Sequence, residues 1–111
     1  MTMAVIKRFK NNSSRAVVVL NSYSYDQSAV AEPNATVDCT IEVPFHPQFP
    51  LVVVTAKGSL RAWQNGDQAA TSELRTMIED GKWVERIALS TMPRDVGIEV
   101  SSDGTVQFNL L

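Results

Sequence analysis

The segment Pro50-Leu51-Val52-Val53-Val54-Thr55-Ala56 decides the fold of this chain. Leu51–Val54 are four consecutive apolar residues, three of them β-branched, which is typical of a strand covered on both faces. Soon after comes Leu60-Arg61-Ala62-Trp63-Gln64-Asn65-Gly66-Asp67, in which one of the two tryptophans stands beside amide side chains. Together the two segments predict a core strand that leads into an aromatic and polar loop.

Strand patterns also precede the central segment. Short apolar runs, or alternation of apolar and polar residues, predict strands at Ala4–Phe9, Arg15–Asn21, Ser28–Val30 and Thr36–Val43. Glu32-Pro33-Asn34-Ala35 predicts a turn, because proline presets the second position and asparagine tolerates a left-handed conformation at the third. The prolines within residues 44–50 cannot donate to a ladder, so we expect a loop that crosses from one sheet to another.

The segment after the central strand allows two interpretations. Apolar residues recur at helical spacing at Ala70, Leu74, Met77 and Ile78, which allows a short helix within residues 68–80. Asp80-Gly81 is instead a strong signal for a two-residue hairpin turn between two strands. We favour the hairpin because the other connections have the turn residues of an all-β chain. The paired strands would be Leu74–Glu79 and Lys82–Leu89, and a final hairpin is predicted from Val96–Val100 and Thr105–Leu110, with Gly104 in its turn.

These patterns predict an all-β fold, a single-domain antiparallel β-sandwich over residues 1–111 with about seven to nine strands. A chain of 111 residues with 44% hydrophobic residues has the size and composition of one globular domain. The N-terminal residues lack the apolar stretch of a signal peptide, and no segment is long enough to span a membrane as a helix. We therefore expect a cytoplasmic location, with non-classical export as the alternative. Cys39 is the only cysteine, so no intrachain disulfide can form.

Composition argues against several classes of function. The net charge of −2 leaves no basic face for nucleic acid, and the basic cluster Lys7, Arg8 and Lys10 is interpreted as a solvated strand end. His46 is the only histidine, so a multi-histidine metal site is not predicted. The five glycines are scattered singly, so no phosphate-binding loop is expected, and neither is a cofactor. A catalytic pair of Cys39 and His46 would require a sharp reversal of the strand, and we predict no catalytic residues and no enzyme.

The residues that remain indicate recognition of a ligand without catalysis. Trp63 joins a flat apolar ring to the short polar side chains of Gln64, Asn65 and Asp67. This combination suits a sugar, which stacks its C–H face on an aromatic ring and directs its hydroxyls to polar groups. Tyr23 and Tyr25 repeat the chemistry beside Asn21 and Asp26, and share one face if that segment stays extended. The sequence therefore predicts a lectin-like carbohydrate-binding module with Trp63, Gln64, Asn65, Asp67, Tyr23 and Tyr25 as its ligand-binding residues.

Two other functions fit the same residues. A toxin-like or cytolysin-like module would insert aromatic side chains into a membrane interface, and would expose several of them on one rim near Lys7, Arg8 or Lys10. A structural module would instead pair its edge strands with those of a second copy and form a homodimer. The rhythm of strands and turns resembles small lectin-like and toxin-like sandwiches in general. A sugar site at Trp63 requires that its ring be exposed.

Overall fold

Two β-sheets pack against each other in the computed structural model, which describes residues 3–66, 73–78, 83–88 and 94–111. Ten strands lie within these residues: β1 (Ala4–Asn11), β2 (Val17–Asn21), β3 (Ser28–Ala31), β4 (Thr36–Glu42), β5 (Leu51–Thr55), β6 (Gly58–Asn65), β7 (Glu73–Ile78), β8 (Trp83–Ala88), β9 (Arg94–Val100) and β10 (Val106–Leu110). This architecture confirms the predicted all-β sandwich. The expected number of strands was too low.

The four-stranded sheet has the order β10-β9-β1-β4, and the six-stranded sheet has the order β3-β2-β5-β6-β7-β8. Each pair of neighbouring strands is antiparallel except β1 and β9, which run parallel. The expectation of a wholly antiparallel sandwich is therefore wrong for this pair. Parallel neighbours need a long connection, and here the chain between them builds the whole six-stranded sheet. Residues 44–50 carry the chain from β4 in one sheet to β5 in the other, which confirms the predicted crossing loop.

The core lies between the sheets and is built by alternation along each strand. Leu51 and Val53 of β5 face the core and are fully buried, whereas Val54 is 42% exposed on the outer face of the six-stranded sheet. The prediction that the central segment is covered on both faces is therefore wrong. Val54 pairs with the half-buried Val18 of β2, so β-branched residues line up on the solvent side of neighbouring strands as well as on the core side.

The ambiguous segment forms a hairpin. β7 and β8 pair antiparallel, with Leu74 opposite Ile87, which confirms the hairpin and excludes a helix over residues 73–78. Leu74 and Thr76 are both buried, which is the two-residue period of a strand. The Asp80-Gly81 turn and residues 67–72 lie outside the described residues. The part of the chain that is described contains no helix long and apolar enough to cross a membrane.

Two turns have the backbone that the sequence predicts. Asn34 takes a positive φ of 63°, and the N–H of Ala35 donates to the carbonyl of Glu32 at 3.0 Å. Gly104 takes a φ of 87°, and its N–H donates to the carbonyl of Ser101 at 2.9 Å. The first turn carries the chain from the edge of one sheet to the edge of the other, because β3 and β4 belong to different sheets.

Candidate functional site

Trp63 and Gln64 lie in the interior of a sheet rather than in a loop. β6 continues to Asn65 between β5 and β7, so the segment predicted as a loop is a strand. Trp63 is only 6% exposed and therefore presents no open ring to a sugar. Asn65 is half-buried and pairs in register with Glu73, whereas Asp67 lies outside the described residues. The condition for a sugar site centred on Trp63 is not met.

Gln64 connects the two sheets through a hydrogen bond. Its side chain is fully buried, and its Oε1 accepts a hydrogen bond from the backbone N–H of Ala4 at 2.7 Å. Its Nε2 donates to the carbonyl of Gly66 at 3.1 Å. Ala4 belongs to the four-stranded sheet and Gln64 to the other, so this amide joins them across the core. A ligand approaching from solvent cannot reach it.

Tyr23 and Tyr25 lie in tight turns after β2 and not in an extended strand, which corrects the prediction that they share one strand face. The turn is held by Asn21, whose Oδ1 accepts from the backbone N–H groups of Tyr23 at 3.0 Å and Ser24 at 3.2 Å. The Asn21 Nδ2 donates to the carbonyl of Glu42 at 3.0 Å and so connects this turn to the end of β4. With the backbone fixed in this way, both tyrosine rings project outward and are 64% and 69% exposed.

A cleft of about 360 Å³ lies where the loop of residues 22–27 meets the loop of residues 43–50. Its apolar lining comes mainly from residues at the ends of β1 and β4 and in the second loop. Its polar lining comes from the last residues of β2 and β4, from the first loop and from His46. The lining residues are Met3, Asn21, Tyr23, Ser24, Gln27, Glu42, Val43, Pro44, Phe45 and His46.

Aromatic rings cluster at the mouth of the cleft. The Tyr23 and His46 rings stack with their centroids 5.5 Å apart and their planes at 29°. Phe49 meets Tyr23 edge-on, with 6.3 Å between the centroids and 69° between the planes. We call Tyr23, His46 and Phe49 the aromatic rim, and all three side chains are exposed. The stack on His46 covers one face of Tyr23 and leaves the ring largely accessible.

Glu42 and Gln27 supply polar groups to the same cleft. The backbone N–H of Glu42 donates to Gln27 Oε1 at 2.8 Å, and Asn21 Nδ2 donates to the same oxygen at 3.3 Å. These bonds use the Gln27 oxygen and leave its Nε2 as a donor for a ligand. Within the described part of the chain, the Glu42 carboxylate takes part in no ion pair. The cleft that Tyr23 lines is therefore also lined by an acidic residue and by an amide side chain.

Cys39 has no part in this site. Its Sγ lies 3.5 Å from the carbonyl oxygen of Ile6, to which the thiol donates. Burial, and then the nearby charge of Asp38, raise the pKa of the Cys39 thiol, which keeps it protonated and weakens it as a nucleophile. His46 lies in the aromatic rim instead. Among the described residues no group of three acidic, histidine or cysteine side chains is arranged to hold a metal ion.

Of the predicted site residues that the structure describes, only Tyr23 lines the cleft. Sequence reasoning missed the cleft-lining positions of Gln27 and Glu42, because contact between residues 22–27 and the end of β4 depends on how distant strands pair. A partial signal existed, since alternation in β4 places Glu42 on the polar side immediately before the crossing loop. Comparisons with models of protein families, with curated proteins and with solved structures found no match to this chain.

Proposed function

We propose that this protein is a non-enzymatic, lectin-like module that binds a carbohydrate in the cleft at Tyr23. The observation that carries the proposal is the exposed Tyr23 ring, which stacks on His46 and lines the same cleft as Glu42. The C–H face of a pyranose ring packs on such an aromatic surface, while its hydroxyls donate to a carboxylate and accept from an amide. The sequence predicts this chemistry at Trp63, and we assign it to Tyr23 instead.

The loops around the cleft are held in place by hydrogen bonds within the chain. Asn21 closes the turn that carries Tyr23, and Gln27 ties that turn to the end of β4. Binding to a preformed surface loses little loop freedom, which favours even a small ligand. A cleft with an apolar lining and a few polar groups is the usual form of a small-molecule site.

The test is a glycan-array screen of the purified protein beside Tyr23→Ala and Tyr25→Ala. Tyr25 is the matched control, because it lies in the same loop and is as exposed, but does not line the cleft. We expect Tyr23→Ala to weaken binding of any glycan found by about tenfold, as loss of a stacking ring does. Tyr25→Ala should retain binding, and circular dichroism should show that both variants are folded. A blank array, or equal binding by all three proteins, would contradict the proposal.

Membrane-interface binding is supported by one specific observation: the rings of Tyr23 and Phe49 are exposed and meet edge-on, and the exposed Tyr25 lies in the same loop as Tyr23. Aromatic side chains in this arrangement settle at the depth of lipid headgroups. The basic residues are placed less favourably, because Arg8 pairs in register with Asp38 and Lys10 lies opposite Glu99. Binding to zwitterionic vesicles that falls equally in Tyr23→Ala and Tyr25→Ala would favour this function over a carbohydrate site.

A second copy of the chain is another candidate partner, and the edge strand β10 favours it. β10 has the sequence VQFNL, which contains neither a charged residue nor a proline. Its ladder with β9 runs without interruption from Val106 to Leu110. Edge strands that avoid self-pairing usually carry a charge, a proline or a bulge. β4, at the opposite edge of the same sheet, carries Asp38 and Glu42.

A cytoplasmic location is part of the proposal. The single cysteine is a free thiol, which suits a reducing compartment. Fractionation of cells that express the protein would test it.

A further inference from the structure

We propose that the cleft selects for a positively charged ligand, and that its preferred carbohydrate is an amino sugar rather than an acidic one. This inference rests on the proposed carbohydrate site and adds the charge of the ligand to it. It stands on Glu42, whose carboxylate forms no ion pair with a described residue, on the exposed ring of Tyr23, and on the absence of lysine and arginine from the described lining of the cleft.

Glu42 is the source of the charge selectivity. Glu42 lines the cleft, is exposed, and its carboxylate takes part in no ion pair in the described part of the chain. Its backbone is fixed, because its N–H donates to Gln27 and its carbonyl accepts from Asn21. An ammonium group in the cleft would form a charge-assisted hydrogen bond with this carboxylate, whereas a ligand carboxylate would be repelled.

The aromatic rim strengthens the same preference. A cation within about 6 Å of an aromatic ring centroid, over its face, is attracted to the ring electrons. Tyr23 provides such a face at the cleft that contains Glu42. Asp26 adds a second carboxylate to the loop of residues 22–27, where it accepts a hydrogen bond from the Ser24 hydroxyl. The loop therefore contributes negative charge and a π surface, and no described basic side chain in it opposes a cation.

The experiment measures binding of four small probes at low ionic strength by NMR titration: glucosamine, N-acetylglucosamine, glucuronic acid and choline. Glucosamine carries the ammonium group, its N-acetyl form removes the charge, and glucuronic acid reverses it. We expect glucosamine to bind roughly three- to tenfold more tightly than N-acetylglucosamine, and glucuronic acid to bind most weakly. Added salt should shrink the difference, since Glu42 is exposed.

Glu42→Gln tests the residue itself. This change keeps the size of the side chain and removes its charge, so glucosamine should lose its advantage while N-acetylglucosamine binds as before. Asp38→Asn is the matched control, because Asp38 is an exposed carboxylate on the same strand but does not line the cleft. The control should keep the preference for glucosamine.

The outcomes separate the two proposals. Equal binding of the three sugars by the wild-type protein, or an unchanged preference in Glu42→Gln, would overturn charge selection and leave the carbohydrate site standing. Binding of choline as tight as that of glucosamine, with loss of both in Glu42→Gln, would support charge selection and overturn the carbohydrate assignment. Absence of binding by all four probes would overturn both.

Discussion

Gln64 places an uncharged polar group in the middle of an apolar core. Its side chain is fully buried and accepts the backbone N–H of Ala4 from the opposite sheet. A buried N–H without an acceptor is costly. The Gln64 side chain supplies the acceptor for the N–H of Ala4, the first residue of β1. The residue that sequence reasoning assigned to ligand binding thus contributes to stability.

We expect Gln64→Leu to destabilise the protein by about 1–3 kcal/mol, because the Ala4 N–H loses its acceptor while the volume of the side chain is retained. The measurement is the free energy of unfolding from urea denaturation. Gln107→Leu is the control, since Gln107 is exposed on β10, and it should change stability by about 0.5 kcal/mol or less. Equal destabilisation by the two variants would show that the bond to Ala4 contributes nothing.

At the scale of elements, the turn between β3 and β4 is notable because it transfers the chain from one sheet to the other. Asn34 occupies the left-handed region in this turn, with a φ of 63°. Asparagine visits that region more readily than most residues, but glycine does so without a steric penalty. Substitution of Asn34 therefore tests the backbone conformation of this turn directly.

We expect Asn34→Ala to lower the free energy of unfolding by about 1 kcal/mol, because alanine is strained at positive φ. Asn34→Gly should be neutral or slightly stabilising by comparison, because glycine adopts this φ freely. Thermal unfolding of both variants provides the measurement. An alanine variant as stable as the glycine variant would mean that the turn relaxes to a different conformation.

The sequence correctly predicts those elements whose conformation depends on residues close together in the chain. Pro33 and Asn34 determine a turn between them, and alternation along Thr36–Glu42 identifies a strand whatever its neighbours are. Burial of Trp63 has no such local cause, because it depends on the position of β6 between β5 and β7. The cleft was missed for the same reason. Its walls come from loops that are distant in sequence and meet only when the two sheets pack.

At the scale of the whole molecule, the two edges of the four-stranded sheet differ in how they are protected. The four-stranded sheet ends in β4, which carries acidic side chains, and in β10, which carries none. A second copy that paired with β10 would extend this sheet across a twofold axis, with the same strand on both sides of the contact. The apolar side chain of Leu110, which is partly exposed, would lie beside that contact.

The self-association candidate predicts that the sedimentation coefficient rises with protein concentration in analytical ultracentrifugation. Asn109→Lys should shift the protein toward monomer, because a charge on an edge strand opposes pairing. Thr40→Lys is the control, since it places the same charge on β4 at the other edge and should leave association unchanged. A wild-type protein that remains monomeric over the accessible concentration range would remove this candidate.

The parallel pairing of β1 with β9 has a consequence for the order in which the chain folds. Ala4 aligns with Arg94, so β1 leaves the ribosome well before this partner exists. At about 5–20 residues per second, the wait is roughly 5 to 20 seconds. Strands β5 to β8 pair each with the next and can fold as soon as they are made, because their contacts are local. We therefore expect the four-stranded sheet to be completed after the strands of the six-stranded sheet have paired.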